Sequence, residues 1–233
     1  MAAVKYWFRT AINAWIFSLV VCASAALAGG EDLQAGEDPR TTESRQIYLA
    51  ESRQKLAERL REMAVYSAAF TQDVFGSRGE ILERSEGQVR LQRPDFKWVV
   101  DDPYPQVIVI EGDQLKIYDP DLEQLTLRPL DEALADTPVS LLTRDDVILG
   151  DRFRVARIAD ESGESFVIEP ASEETLYKEI RLHFDAAGLT GLDILDHLGQ
   201  KTQIRFAPDP SVSVIESAEF ALEVPPGTDV IGG

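Results

Sequence analysis

The stretch GQVRLQRPDFKW, residues 87–98, decides the fold. Val89 and Leu91 alternate with Gln88, Arg90 and Gln92, which is the period of a strand with one buried face. Phe96, Trp98 and Val100 resume the alternation after Pro94, so the segment reads as two consecutive strands joined by a tight turn. Arg93 falls on the apolar parity of the first strand, at its end. Pro94 has no N–H to give and stops the ladder there. An arginine in that place has two readings. One is a salt bridge at a strand end, which contributes about 0–1 kcal/mol when exposed. The other is a donor at the rim of an apolar face, reaching whatever covers that face.

Outward from this stretch, most of the chain alternates in short runs. YSAAFTQDVF (66–75), EILERSEGQVRLQ (80–92), QVIVIEGD (106–113), QLKIYDP (114–120) and QLTLRPL (124–130) come first. FRVARIAD (153–160), SFVIEP (165–170), KEIRLHFD (178–185), LTGLDILDH (189–197) and KTQIRFAP (201–208) follow. GSRG, EGDQ, DPD, DESGES, DAAG and HLGQ separate them and suit hairpin turns and bulges. Ile108 and Ile110 share a parity on the strand after the pair at 87–98. The spacing is that of an antiparallel meander and not of alternating strands and helices.

Two segments break the pattern. From about Thr42 to Met63 the apolar residues Ile47, Leu49, Leu56, Leu60 and Met63 approximate a helical stripe, with Thr42 or Ser44 as the cap. Within LDEALADTPVSLLTRDD (130–146), Asp136 or Thr137 caps a short helix that begins at Pro138 and carries Leu141 and Leu142. One long and one short helix cannot cover so many strands laid flat. The predicted fold class is therefore mainly β with helices (α+β): an incomplete, strongly curved antiparallel barrel covered by a long N-terminal helix and a short lid helix. Its inside is apolar, a place for a hydrophobic ligand.

The N-terminus reads as a targeting segment. Lys5 and Arg9 precede an apolar run to Ala28 that closes on Ala26-Leu27-Ala28, the pattern of a cleaved signal peptide. The alternative is an uncleaved anchor, since the run is nearly long enough to span a bilayer. The only cysteine, Cys22, lies inside this run, and Val21 before it does not suit lipid attachment. The expected organisation is a signal peptide at 1–28, a flexible acidic leader at 29–42, and a single domain at 43–233. The formal charge of −18 becomes two units more negative when Lys5 and Arg9 are removed. Such a chain is a poor partner for nucleic acid or an anionic surface.

Chemistry-bearing motifs are not found. His183 and His197 sit in separate strand-like segments, without a second ligand at helical spacing. Asp101-Asp102 and Asp145-Asp146 are adjacent pairs, which point to opposite faces of a strand and make no acid/base couple. No catalytic residue, metal ligand or cofactor is expected, and the chain is not expected to be an enzyme.

FTQDV, GQVRLQRPDFKW, IEGDQLKIYDPDLEQ and DTPVSLL, in that order after a signal peptide and a helix, resemble the periplasmic outer-membrane lipoprotein carrier family, LolA. The resemblance runs from about Leu56 to Leu142 and more loosely to FALEVPPGTDV. It implies a half-barrel whose cavity accepts the acyl chains of lipoproteins in the periplasm, acting as a chaperone without a cofactor. The implied partners are acylated lipoproteins as cargo, an inner-membrane lipoprotein-releasing ABC transporter, and an outer-membrane lipoprotein receptor, with the carrier a monomer. Arg93 matches the arginine that latches the lid, and Pro138, Leu141 and Leu142 match the lid helix. Val89, Leu91, Phe96, Trp98, Val100, Ile108 and Ile110 are the cavity or docking residues. One residue, Asp95, separates Pro94 from Phe96 where some relatives have two. Phe96 is thus left with two directions, inward to lipid or outward to a partner. The alternative functions are a lipoprotein or hydrophobic-ligand sensor, or an outer-membrane acceptor of the same fold.

Overall fold

The computed structural model describes residues 39–130, 142–143, 152–161, 163–172 and 175–232. The chain opens on helix α1 (Pro39–Glu62) and continues through β1 (Val65–Phe75), β2 (Ile81–Gln92), β3 (Asp95–Asp102), β4 (Gln106–Glu111), β5 (Gln114–Asp119) and β6 (Gln124–Pro129). It then forms β7 (Phe153–Asp160), β8 (Gly163–Pro170), β9 (Tyr177–Asp185), β10 (Gly188–Asp196), β11 (Lys201–Pro208) and β12 (Asp229–Gly232). All strands among the described residues lie in one sheet, in the order β12-β6-β5-β4-β3-β2-β1-β11-β10-β9-β8-β7. Neighbours are antiparallel except β12, which runs parallel to β6.

Helix α1 starts at Pro39, inside the stretch expected to be a leader. Proline is well suited to the first helical position, where its missing N–H is not needed. Thr42 and Ser44 are consequently within the helix and not at its cap, a correction to the expected start.

Alternation becomes curvature through packing. Leu56 and Leu60 from the C-terminal half of α1, with Met63 just after it, join one buried cluster with the inward residues of both halves of the sheet, from Leu115 on β5 to Phe166 on β8. Only a sheet bent round the helix brings both halves to one cluster. Gly87 marks a tight point: β2 shifts register against β3 between Glu86 and Gly87, and a Cβ on Gly87 would meet Val99 O at 1.9 Å.

Helix α1 also covers the free edge of β7. Arg53 Nη2 donates to Phe153 O at 3.1 Å, Tyr48 Oη donates to Arg157 O, and Arg157 N donates to Ser52 Oγ at 3.3 Å. An edge strand presents such groups unpaired, and here helix side chains take them. Farther along α1, Arg59 donates to Asp185 O at 2.7 Å, pairs with Glu164 at 2.8 Å and stands 5.2 Å from the centre of the Phe184 ring. The helix is thereby fixed across the mouth of the half-barrel.

After β11 the chain crosses the outer face of β1–β3. Asp209 N donates to Ser67 O, Ile215 N to the Gln92 side chain, and Lys97 Nζ to Glu219 O and Ala221 O. Ile215 and Phe220 are buried by this arm. Burial, with Arg90 nearby, lowers the Lys97 ammonium from its ordinary value, against the pull of Glu223 and Glu219. The arm ends as β12 against β6, which explains the parallel pairing: it arrives by an outside route and not through a hairpin.

Candidate functional site

The concave face is built from cross-strand rows. Tyr66, Leu91, Phe96, Ile110 and Leu115 stand opposite one another on β1 to β5, and Ala68, Val89, Trp98, Ile108 and Ile117 form the adjacent row. Val89, Leu91, Phe96, Trp98, Val100, Ile108 and Ile110 are all buried in the single apolar cluster. Phe96 has no exposed surface, so the structure directs it inward. One residue after Pro94 places Phe96 opposite Leu91, and the parity of β3 does the rest.

Aromatic rings concentrate around Trp98. Its ring centre is 4.1 Å from that of Phe70, 6.5 Å from Phe96 and 6.1 Å from Phe206. Trp98 Nε1 is buried without a hydrogen-bond partner. Tyr66 donates its hydroxyl to Leu189 O at 2.6 Å, and burial, aided by Asp185, pushes that hydroxyl well above its usual range. Tyr66, Phe70 and Phe206 belong to this surface as fully as the residues singled out by sequence. Their strand parity was the signal available for them, and it is the same signal that marked Phe96.

Arg93 stands at the rim. Its main chain is held by Ala64 O at 3.3 Å. Its Nη2 donates to Leu60 O at 2.7 Å and its Nε to Leu142 O at 3.1 Å. Leu60 O lies in the last turn of α1, where carbonyls lack helical partners and a cation suits the helix dipole. Leu142 is helical, buried and part of the apolar cluster. One guanidinium therefore joins the β2–β3 turn, the end of the long helix and the segment expected as the lid. Pro138 and Leu141 lie outside the described residues. The bond to Leu142 is the type expected for a lid carbonyl; the bond to the long helix was not foreseen, because a backbone carbonyl carries no side-chain signature.

A second polar cluster lies on the outer face of β8–β11. Ser165 Oγ is 2.9 Å from His183 Nδ1, and His183 Nε2 is 3.4 Å from Asp193 Oδ2, an ion-pair distance rather than an aligned hydrogen bond. Arg205 Nη1 reaches Asp193 Oδ1 at 2.6 Å and Lys201 Nζ lies 3.6 Å from Oδ2. Burial alone would raise the Asp193 carboxyl, but His183, Arg205 and Lys201 hold it well below the usual carboxylate range. Two fixed cations on one carboxylate make this a sheet-bracing ion cluster. Among the described residues no group of acids, histidines or cysteines could hold a metal.

The sequence also matches known proteins. Residues 61–222 match the family described as outer membrane lipoprotein carrier protein LolA. An outer-membrane lipoprotein carrier protein of Chromohalobacter salexigens is 37% identical over 179 residues, 76% of this chain and 85% of that protein. One of Pseudomonas paraeruginosa is 31% identical over 208 residues, 89% of this chain and 95% of that protein. A solved LolA superfamily protein from Nitrosomonas europaea overlays with a TM-score of 0.43 at 10% identity, over 72% of this chain and 97% of that one. With a family match across most of the strands and relatives aligned over most of its length, the chain belongs to the outer membrane lipoprotein carrier protein LolA family.

Proposed function

We propose that this protein carries lipoproteins through the periplasm, holding their acyl chains against the concave face of the half-barrel and delivering them to the outer membrane. The observation that carries this reading is Arg93, which ties both Leu60 O and Leu142 O beside the apolar cross-strand rows of β1 to β5. A guanidinium has five donors and no acceptor, so it can bind carbonyls of two covering segments at once. Opening loses those bonds. Burial of acyl methylenes, at about 0.8 kcal/mol each, offsets the loss. The cover is then a latch that cargo opens, and no covalent step is required.

In this reading Val89, Leu91, Phe96, Trp98, Val100, Ile108 and Ile110 contact lipid once the cover lifts. Leu142, with Pro138 and Leu141, belongs to the lid. Residues 1–28 act as a cleaved export signal. Loading comes from an inner-membrane ABC transporter and unloading goes to a receptor on the outer membrane. The test is direct: purified protein mixed with inner-membrane vesicles, ATP and the transporter should bring lipoprotein into the soluble fraction as a one-to-one complex. Lipoprotein that stays wholly with the vesicles would refute the reading.

A further inference from the structure

The concave face is not apolar along its whole depth. On β1 the inward side chains run Tyr66, Ala68 and Phe70, then Gln72, buried at 8% exposure, with the apolar Val74 beyond it at the end of the strand. Opposite Gln72 on β2 stands Ser85, also buried, and beyond it on the same parity Glu83. Gln72 Nε2 donates to Ser85 Oγ at 3.3 Å, but Gln72 Oε1 and Glu83 Oε1 are buried without a hydrogen-bond partner. Burial raises the Glu83 carboxyl from its ordinary value, as expected for an acid facing a poorly solvated interior.

Unsatisfied buried polar atoms are uncommon and call for a reason. The strand pairing does not require polar side chains here: the partner of Gln72 on β11 is the buried, apolar Ile204. Their position suggests the reason. They lie at the end of the face remote from Arg93, just past Phe70 and Trp98. From the rim at Ala64 to Phe70 the strand rises about 20 Å. One leaflet of a bilayer is about 15 Å of hydrocarbon, half of the full core. The apolar part of the face is thus deep enough for a chain of membrane-lipid length and little more.

We propose that Gln72, Ser85 and Glu83 form a polar floor that limits how long an acyl chain the half-barrel accepts. The inference rests on the carrier reading and adds a length specificity to it. A methylene that reaches Phe70 or Trp98 exchanges water for carbon. A methylene pushed past them lies against an amide and a carboxyl and gives neither a hydrogen bond in return.

The test uses synthetic peptides whose N-terminal cysteine carries saturated acyl chains of graded length, titrated against the full-length protein and followed by isothermal calorimetry. Affinity should climb about fourfold for each added methylene while apolar surface remains, then stop climbing at a defined length. Gln72→Leu, and separately Glu83→Leu at the partly exposed end of the floor, should move that break to longer chains. Thermal unfolding of each variant shows that it is folded, and the Glu83 variant serves if Gln72→Leu is not. A break that stays in place in the folded variants, or a wild-type series that rises without a break, would overturn the floor while leaving the carrier reading intact. Absence of binding at every length would instead remove the carrier reading and the floor with it.

Discussion

Arg93→Leu separates the two meanings that an arginine at a strand end can have. The substitution removes a charged donor from Leu142 O and from Leu60 O. Hydrogen bonds to charged groups contribute about 1.5–3 kcal/mol each. Arg93 is only half-buried, so the lower figure applies, and the two bonds together contribute about 3 kcal/mol. Leu60 O keeps a second donor, Met63 N at 3.2 Å. The Leu142 side therefore depends more heavily on the arginine, and losing about 1.5 kcal/mol there loosens the closed state about tenfold. Two buried methylenes of a ligand offset that much, at about 0.8 kcal/mol each. The assay is a titration with an acylated peptide, alongside urea unfolding. Affinity should rise about tenfold, because the closed cover no longer competes with the ligand, and unfolding free energy should fall by about 3 kcal/mol. Arg93→Lys should lie between, since an ammonium offers a point charge where the guanidinium offers a fork. Unchanged affinity with a stability loss under about 1 kcal/mol is what an exposed salt bridge would give, and it would refute the latch.

Phe96→Ala should cost about 3–5 kcal/mol in chemical denaturation, as for a large core side chain; a cost within about 0.5 kcal/mol is what an outward docking residue would show. Ser52→Ala leaves the edge N–H of Arg157 without its acceptor and should destabilise by about 1–2 kcal/mol, with aggregation on mild heating because the β7 edge is uncovered; unaltered unfolding and solubility would contradict the role given to α1. Asp193 titrates lower in the folded chain than in the unfolded one. Its contribution is present above the ordinary carboxylate range and is lost as pH falls through that range toward the folded value. Asp193→Asn should lower stability at neutral pH and flatten the decline in urea midpoint on the acid side; an acid limb as steep as wild type would show that the cluster does not brace the sheet.

Much of this architecture is legible in the sequence because alternation is a local property. The runs at 153–160 and 201–208 coincide with β7 and β11, and those between agree with β8, β9 and β10 to within a few residues at their ends. Each such strand has one wet and one dry face, and the pattern records it. The short β12 escaped notice for the same reason in reverse: all of its residues are exposed, so it has no dry face to leave a period. Helix α1 was placed correctly but begins early, since Pro39 stands in a polar stretch with no apolar periodicity to betray a helix.

Alternation along the chain is enough to establish that a curved antiparallel sheet forms, which parity faces inward, and that Arg93 stands on the apolar side where a strand ends. Tertiary structure alone decided the rest. It turned Phe96 inward against Leu91, gave Arg93 the carbonyls of Leu60 and Leu142, joined Ser165, His183 and Asp193 across three strands, and set Gln72 against Ser85 below the aromatic rows. These pairings depend on register and curvature between residues far apart in the chain, and several of the acceptors are backbone carbonyls, which every residue carries alike. A periodic pattern states which side of a strand is buried; only the closed sheet states what lies opposite.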